Sequence, residues 1–134
     1  MNDDFPTAEE YAQERARHPG LTVVDVRSVQ AAIQEAYRNE VLVDVNTDCL
    51  RLAVFEGEYR WHYHPDSDEL FLVVEGELQI DFEDARRLSL TAWQCTVVPA
   101  GTVHRTRGVG RTVNLTVEKR GARTVFLDRP PTEA

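Results

Sequence analysis

Two histidines and a glutamate have the types and spacing that best suit metal chemistry in this sequence. His62 and His64 lie two residues apart in a predicted strand. Alternate side chains of a strand share a face, so an ion between the two rings can take a nitrogen from each. The turn at residues 65–68 brings Glu69 back beside the rings as an oxygen ligand. The pattern predicts a site for a divalent metal ion.

A third histidine, His104, follows the turn at residues 99–101. It lies far along the chain from Glu69, so tertiary folding must bring it to the site and its spacing alone is weak evidence. Imidazole nitrogens together with a carboxylate oxygen suit first-row transition metal ions. His18 stands beside a predicted helix end and is interpreted as a structural residue.

These residues also resemble two motifs of the cupin family. Gly57, His62, His64, Glu69 and Gly76 resemble the first motif, with one residue fewer than usual between Gly57 and His62. The stretch at 99–104 resembles the second motif, Pro-x-Gly-x-x-His. Trp93 and Gly108 stand where the family usually has a glycine and an asparagine, neither of which is normally a ligand.

The likeness extends over residues 21–126 and is greatest at 61–78, which is similar to small cupins often labelled mannose-6-phosphate-isomerase-like. It implies an all-β fold, a double-stranded β-helix (the cupin jelly-roll barrel), with one or two N-terminal helices. It implies one divalent transition metal ion, Zn, Mn, Fe, Ni or Co, at His62, His64, Glu69 and His104.

Short strands broken by turns are predicted to position these residues. Two helices should come first, at 8–17 with a capping box of Thr7 and Glu10, and at 29–40 with Ser28 as its cap. A stripe of apolar residues on the second helix should dock on the sheet. The candidate strands are 21–26, 41–46, 49–56, 59–64, 69–74, 78–83, 86–90, 94–98, 103–107 and 113–119.

The chain is expected to hold one cupin domain. Residues 1–20 are predicted to form an N-terminal tail and helix, 21–126 the cupin domain, and 127–134 a flexible C-terminal tail.

Strand parity predicts four further residues for a small-molecule pocket beside the metal. Arg60 shares the face of His62 and His64, Phe71 and Val73 share that of Glu69, and Thr106 shares that of His104. An inward guanidinium suits a carboxylate or phosphate of a substrate. The favoured interpretation of Arg60 is nevertheless an internal ion pair or a side chain that reaches water.

The opposite parity places Trp61 and Tyr63 outside the barrel. Exposed aromatic residues can mark a covered surface, so we expect a homodimer, although packing by the N-terminal helix would explain the same residues. Cys49 and Cys95 lie in apolar strands and are expected to be buried free thiols.

Composition argues against several partners. Lys and Arg number 15 against 23 Asp and Glu, for a net charge of −8, so no nucleic acid is expected. No apolar run reaches the length of a membrane span, so no membrane association is expected. The acidic N-terminus lacks the apolar core of a signal peptide, which favours the cytoplasm.

The sequence leaves three functions open, because function depends on the site and not on the fold. In the first case the protein is a metal-dependent enzyme, of dioxygenase or isomerase type, acting on a small organic metabolite. Alternatively, it binds a small ligand without turnover. In the third case its metal only stabilises the barrel.

Overall fold

The computed structural model describes residues 5–128. Strands dominate this part of the chain, which confirms the predicted all-β class. The helices are α1 (Ala8–Gln13) and α2 (Val26–Ala31), and the strands are β1 (Tyr37–Val45), β2 (Asp48–Glu58), β3 (Trp61–Tyr63), β4 (Glu69–Glu75), β5 (Glu77–Phe82), β6 (Arg87–Thr91), β7 (Cys95–Val98), β8 (His104–Lys119) and β9 (Val125–Leu127).

The long strand β8 is the centre of the sheet. It pairs antiparallel with β2, β3, β4 and β5, while β1, β9, β7 and β6 extend these pairs outward. One strand can have four partners because its 16 residues span both halves of the curled sheet. The first half of β8 meets β3 and β5, and the second half meets β4.

The two faces of the sheet bury separate apolar cores. The inner face holds the first core, which includes Phe55, Phe71, Val73 and Ile80. The outer face holds a second core, in which Leu52 and Val54 of β2 pack with residues of α2 and its flanks. Alternate residues of β2 therefore face opposite cores, as the period of a strand requires.

Capping residues define where both helices begin. The predicted capping box is confirmed, since the Thr7 hydroxyl accepts from the Glu10 amide and the Glu10 carboxylate accepts from the Thr7 amide. However, α1 ends at Gln13, short of the predicted residue 17. The second helix, predicted at 29–40, spans only Val26–Ala31, and β1 already begins at Tyr37. Asp25 is its cap in place of Ser28 and accepts from the Arg27 and Ser28 amides.

The predicted strands differ from the structure at three places. Residues 21–26 form no strand: Leu21 has a φ of 64°, and α2 begins at Val26. The predicted strands 103–107 and 113–119 are both strand, but they are parts of the one strand β8, because the residues between them form a bulge opposite Gly57 of β2. Strand β9 was not predicted, and its three residues pair with β3.

Two burial predictions were also wrong. Trp61 is buried, because the Arg105 guanidinium lies over its ring at 4.7 Å, and Tyr63 is half-buried. Cys49 is buried as predicted, but Cys95 on the sheet edge is exposed.

The helices within residues 5–128 are too short to cross a bilayer. The predicted tails fall largely outside these residues, at 1–4 and 129–134.

Candidate metal centre

Three adjoining strands bring the four predicted ligands together. His62 lies in β3, directly opposite His104 at the start of β8. His64 follows β3, and Glu69 begins β4, which also pairs with β8. The start of β4 pairs near the end of β8, so the curl of the sheet is what brings Glu69 back beside β3 and the start of β8.

The ligand atoms of this cluster lie within bonding reach of a common centre. One atom from each of His62, His64, Glu69 and His104 lies within 4.8 Å of the others. Glu69 Oε1 is 3.2 Å from His64 Nε2 and 3.7 Å from His104 Nε2. All four residues are buried. A bound ion would thus be enclosed on this side by protein.

Backbone carbonyls orient all three rings. His62 Nδ1 donates to Arg60 O at 2.8 Å, and His104 Nδ1 donates to Thr102 O at 2.9 Å. His64 Nδ1 donates to Arg123 O at 3.0 Å. With the proton held on Nδ1, each ring is left with Nε2 as a lone-pair donor, the arrangement that metal-ligating histidines use.

Two buried polar atoms of the cluster have no hydrogen-bond partner among the described residues. They are Glu69 Oε1 and His104 Nε2. Unpaired buried polar atoms are costly, and a cation between them would satisfy both. Three nitrogens and one oxygen also form a donor set typical of first-row divalent ions. The residues present therefore fit a metal ion.

The pKa values of these groups follow from burial and from each other. Burial, and then the imidazoles of His104 and His64, hold the pKa of His62 well below its usual range. Burial also disfavours a charged His64, but the Glu69 carboxylate, 3.2 Å away, raises its pKa to about 9. Burial of Glu69 is in turn outweighed by His104 and His64, which hold its pKa well below the usual range. A metal ion would displace the His64 proton.

Two buried charged residues, Glu118 and Arg51, lie behind Glu69 and were not predicted from the sequence. Glu118 is buried next to Glu69, and burial and the Glu69 charge raise its pKa to about 8. Arg51 Nε lies 3.6 Å from Glu118 Oε2. Both residues alternate with apolar ones in their strands, and that alternation was the available signal.

A cavity opens beside the cluster, and about 60 Å³ of it can hold the centre of a water molecule, enough for a few waters. Within it, Asn114 Oδ1 and Thr116 Oγ1 are buried without a partner among the described residues. The lining residues come from the N-terminal segment and the inner face of the sheet: Tyr11, Tyr37, Asn39, Arg51, Ala53, Phe55, Tyr59, His62, His64, Glu69, Phe71, Thr106, Asn114, Thr116, Glu118 and Thr124.

The four predicted pocket residues have different surroundings. Phe71 and Thr106 line the cavity. Val73 lies in the inner core and is not among the lining residues. Arg60 is not among them either, since its guanidinium lies 3.8 Å from the centre of the Phe126 ring of β9. Of the two expected arrangements, the internal ion pair is replaced by this cation–π contact, and the half-buried Arg60 agrees with a side chain that reaches water.

Comparison with known proteins agrees with this geometry. The family model described as a cupin domain matches residues 51–117, half of the chain, which hold all four residues of the cluster. The chain belongs to the cupin family. The double-stranded β-helix that the motifs implied is therefore confirmed.

Three known proteins are similar to this chain in sequence or structure, over different shares of their length. An uncharacterized protein of Bacillus subtilis, YdbB, is 54% identical over 99 residues, covering 74% of this cupin and 88% of YdbB. The polyketide synthase CurC of Streptomyces cyaneus is 45% identical over 49 residues, covering 37% of this cupin and 31% of CurC. A crystallised cupin-2 domain protein of Shewanella frigidimarina has a TM-score of 0.69 and 31% identity, covering 73% of this cupin and 95% of that chain.

Proposed function

We propose that this cupin binds one divalent transition metal ion through His62, His64, Glu69 and His104, and acts there as an enzyme on a small organic molecule. The supporting observation is the convergence of three carbonyl-oriented imidazoles on the unpaired Glu69 Oε1. Zn, Mn, Fe, Ni and Co all suit this donor set.

The surroundings of the cluster support an open coordination position. An ion with four protein ligands and octahedral preference keeps two positions free, and such an ion polarises a bound oxygen or lowers the pKa of a bound water. The cavity adjoins the cluster, because it is lined by His62, His64 and Glu69, so a molecule in it would lie beside a bound ion. Asn114 Oδ1 and Thr116 Oγ1 have no hydrogen-bond partner among the described residues, so both atoms are available to a ligand in the cavity.

A non-catalytic function is the second candidate, and the small cavity favours it. Only a few waters fit beside the cluster, and Tyr11 closes part of the wall. In this case the ion stabilises the barrel or anchors a small ligand without turnover.

Metal analysis of the untagged protein tests the shared part of both candidates. About one equivalent of transition metal is expected for the wild-type chain, and a large loss for His62→Ala. His18→Ala is the matched control, since His18 lies outside the cluster and should keep the metal. Equal metal content in the two variants would overturn the site.

Turnover then separates the candidates. The metal-loaded protein would be screened for O₂ uptake and for sugar-phosphate isomerisation, the two reaction types that the resemblance implies. Turnover that His62→Ala abolishes while the fold survives supports the enzyme. Silence in both assays, together with a large fall in thermal stability on chelation, supports the structural candidate.

We also propose a homodimer that buries the outer face of β4 and β7. Leu70 and Leu72 of β4 are half-exposed there, beside exposed Val97 of β7. A continuous apolar face at a sheet edge fits a second copy of the same face.

Light scattering with two valine variants tests the dimer. Val97→Asp places a charge in the proposed interface and should yield monomers. Val109→Asp makes the same change at an exposed valine in the β8 bulge and should leave the dimer intact. A wild-type monomer at micromolar concentration would contradict the proposal.

A cytoplasmic location is proposed as well. It is supported by the two unpaired cysteines, Cys49 and Cys95, because disulfides form mainly in oxidising compartments. Cell fractionation with an antibody against the chain tests it, and recovery outside the cytoplasm would contradict it.

A further inference from the structure

Tyr11 is the buried residue of α1, and it lines the metal cavity. Its neighbours on the helix, Glu9, Glu10 and Gln13, are exposed. The Tyr11 side chain reaches the cavity that His62 and Phe71 also line. The helix lies outside residues 51–117, where the family model matches. This wall of the cavity is therefore an addition to the part of the chain that the family shares.

The hydroxyls of two other tyrosines fasten Tyr11 to the barrel. The Tyr59 hydroxyl donates to the Tyr11 hydroxyl at 2.9 Å, and the Tyr11 hydroxyl is also hydrogen-bonded to that of Tyr37. The Phe5 ring packs edge-on against Tyr37 and Tyr59, at 4.7 and 4.8 Å. Tyr59 in turn contacts the His62 ring, with centroids 5.3 Å apart. One ring thus separates Tyr11 from a metal ligand.

Arg51 holds the other end of the helix. Its Nη2 donates to Tyr11 O at 3.0 Å and its Nη1 donates to Glu14 Oε1 at 2.8 Å. The guanidinium also lies 5.7 Å from the centre of the Tyr11 ring. A helix of six residues is not stable alone, so its place over the cavity depends on these contacts.

We propose that Tyr11 determines the specificity of this site by covering the cavity, so that only small ligands reach the ion. The proposal rests on the proposed function, since it requires a metal ion at the cluster. Without the Tyr11 ring, the Tyr37 and Tyr59 rings and the Arg51 guanidinium would border a wider opening. Larger ligands then gain access to the same open coordination positions.

The test compares two probes that share a metal-binding group and differ in size. The full-length chain is loaded with Co²⁺, and its visible absorption is titrated with acetohydroxamate and with benzohydroxamate. The wild-type protein should bind benzohydroxamate more weakly by about tenfold or more, the scale on which a closed pocket rejects added bulk. Tyr11→Ala should bring the two dissociation constants close together.

Two further variants distinguish a Tyr11 side chain that covers the cavity (the cover) from a Tyr11 that only supports the fold. Tyr11→Phe keeps the ring and the Arg51 contacts but loses the hydroxyl bonds to Tyr37 and Tyr59, so the ratio of the two dissociation constants should fall between those of the wild type and Tyr11→Ala. Glu14→Ala removes the ion pair with Arg51 without changing the cavity wall, and it should lower the ratio in the same direction as Tyr11→Ala. It keeps the proposal testable if Tyr11→Ala does not fold.

The outcomes distinguish this proposal from the one on which it rests. A wild-type chain that takes up no Co²⁺ overturns the metal site and the cover with it. Normal Co²⁺ uptake with the same ratio in the wild type, Tyr11→Ala and Glu14→Ala overturns the cover alone. Equal binding of both probes by the wild type overturns it as well.

Discussion

His62 and His104 stand side by side across the pairing of β3 and β8, with ring centroids 4.4 Å apart. Each ring donates through Nδ1 to the carbonyl oxygen two residues before it, Arg60 O for His62 and Thr102 O for His104. The two strands therefore present the same local arrangement twice. Strand pairing sets the distance between the rings, so the fold itself prepares half of the ligand set.

Metal binding should stabilise the folded protein, because the four ligands converge only in the folded state. Zinc at 100 times its dissociation constant should raise the free energy of unfolding by about 2.7 kcal/mol. His104→Ala should lose most of this gain. Urea unfolding with zinc and with a chelator measures both effects. An equal gain in His104→Ala would show that zinc acts elsewhere.

The chelated protein should lose stability as the pH rises from about 6.5 to 9. The folded-state pKa values of His64 and Glu118 are raised to about 9 and about 8. In the unfolded chain the pKa values of these two side chains are near 6.5 and 4.5. A group with a raised pKa contributes its full stabilisation at a pH below its unfolded-state pKa, and this contribution is lost as the pH rises through its folded-state pKa. Urea unfolding at several pH values in a chelator measures the slope.

Glu118→Gln is the control for this pH dependence. It removes one of the two titrating groups while keeping a side chain of similar size, so the slope between pH 6.5 and 8 should become shallower. Below pH 6.5 the lowered pKa of His62 acts in the opposite direction, since the unfolded state then takes up the proton. A stability that increases towards pH 9 would contradict the prediction.

Replacing Trp93 by glycine should stabilise the protein. Trp93 has a φ of 69°, in the left-handed region, and its side chain is 68% exposed. Its amide donates to Val73 O at 2.7 Å, so the turn keeps the form that suits the glycine usual in the motif. Relief of the backbone strain, reduced by the greater conformational entropy of glycine in the unfolded chain, should raise the free energy of unfolding by on the order of 1 kcal/mol. Thermal and urea unfolding measure it, and a loss of stability would contradict it.

Gly76→Ala should be strongly destabilising. Gly76 has a φ of 88°, and a Cβ there would lie 2.6 Å from Arg111 O and 2.9 Å from Thr112 Cα of β8. Backbone strain and this clash together should lower the free energy of unfolding by about 3 kcal/mol. Gly57→Ala is the matched control, because Gly57 has a φ of 85° with no atom within 4 Å of such a Cβ. It should lose only about 1 kcal/mol, and equal losses would contradict the close approach.

Local patterns predicted much of the fold and of the candidate site. Alternating apolar residues and turn residues located most strands of the sheet, and the two motifs selected the four residues that converge. The capping box of Thr7 and Glu10 was predicted because both hydrogen bonds lie within one helical turn. Boundaries were less accurate, as at α2, because Asp25 and Ser28 are both good caps and tertiary packing chose between them.

The sequence by itself determined the chemistry of this protein: the residue types of a metal site, the positions of most strands and the presence of the cupin motifs. Only the tertiary structure decided what surrounds that chemistry. Tyr11 comes from a helix far from the motifs, Arg51 from the strand that leads into the first motif, and β8 carries Glu118 to the site from its far end. Such contacts depend on how distant segments fold over one another, and spacing along the chain carries no information about them.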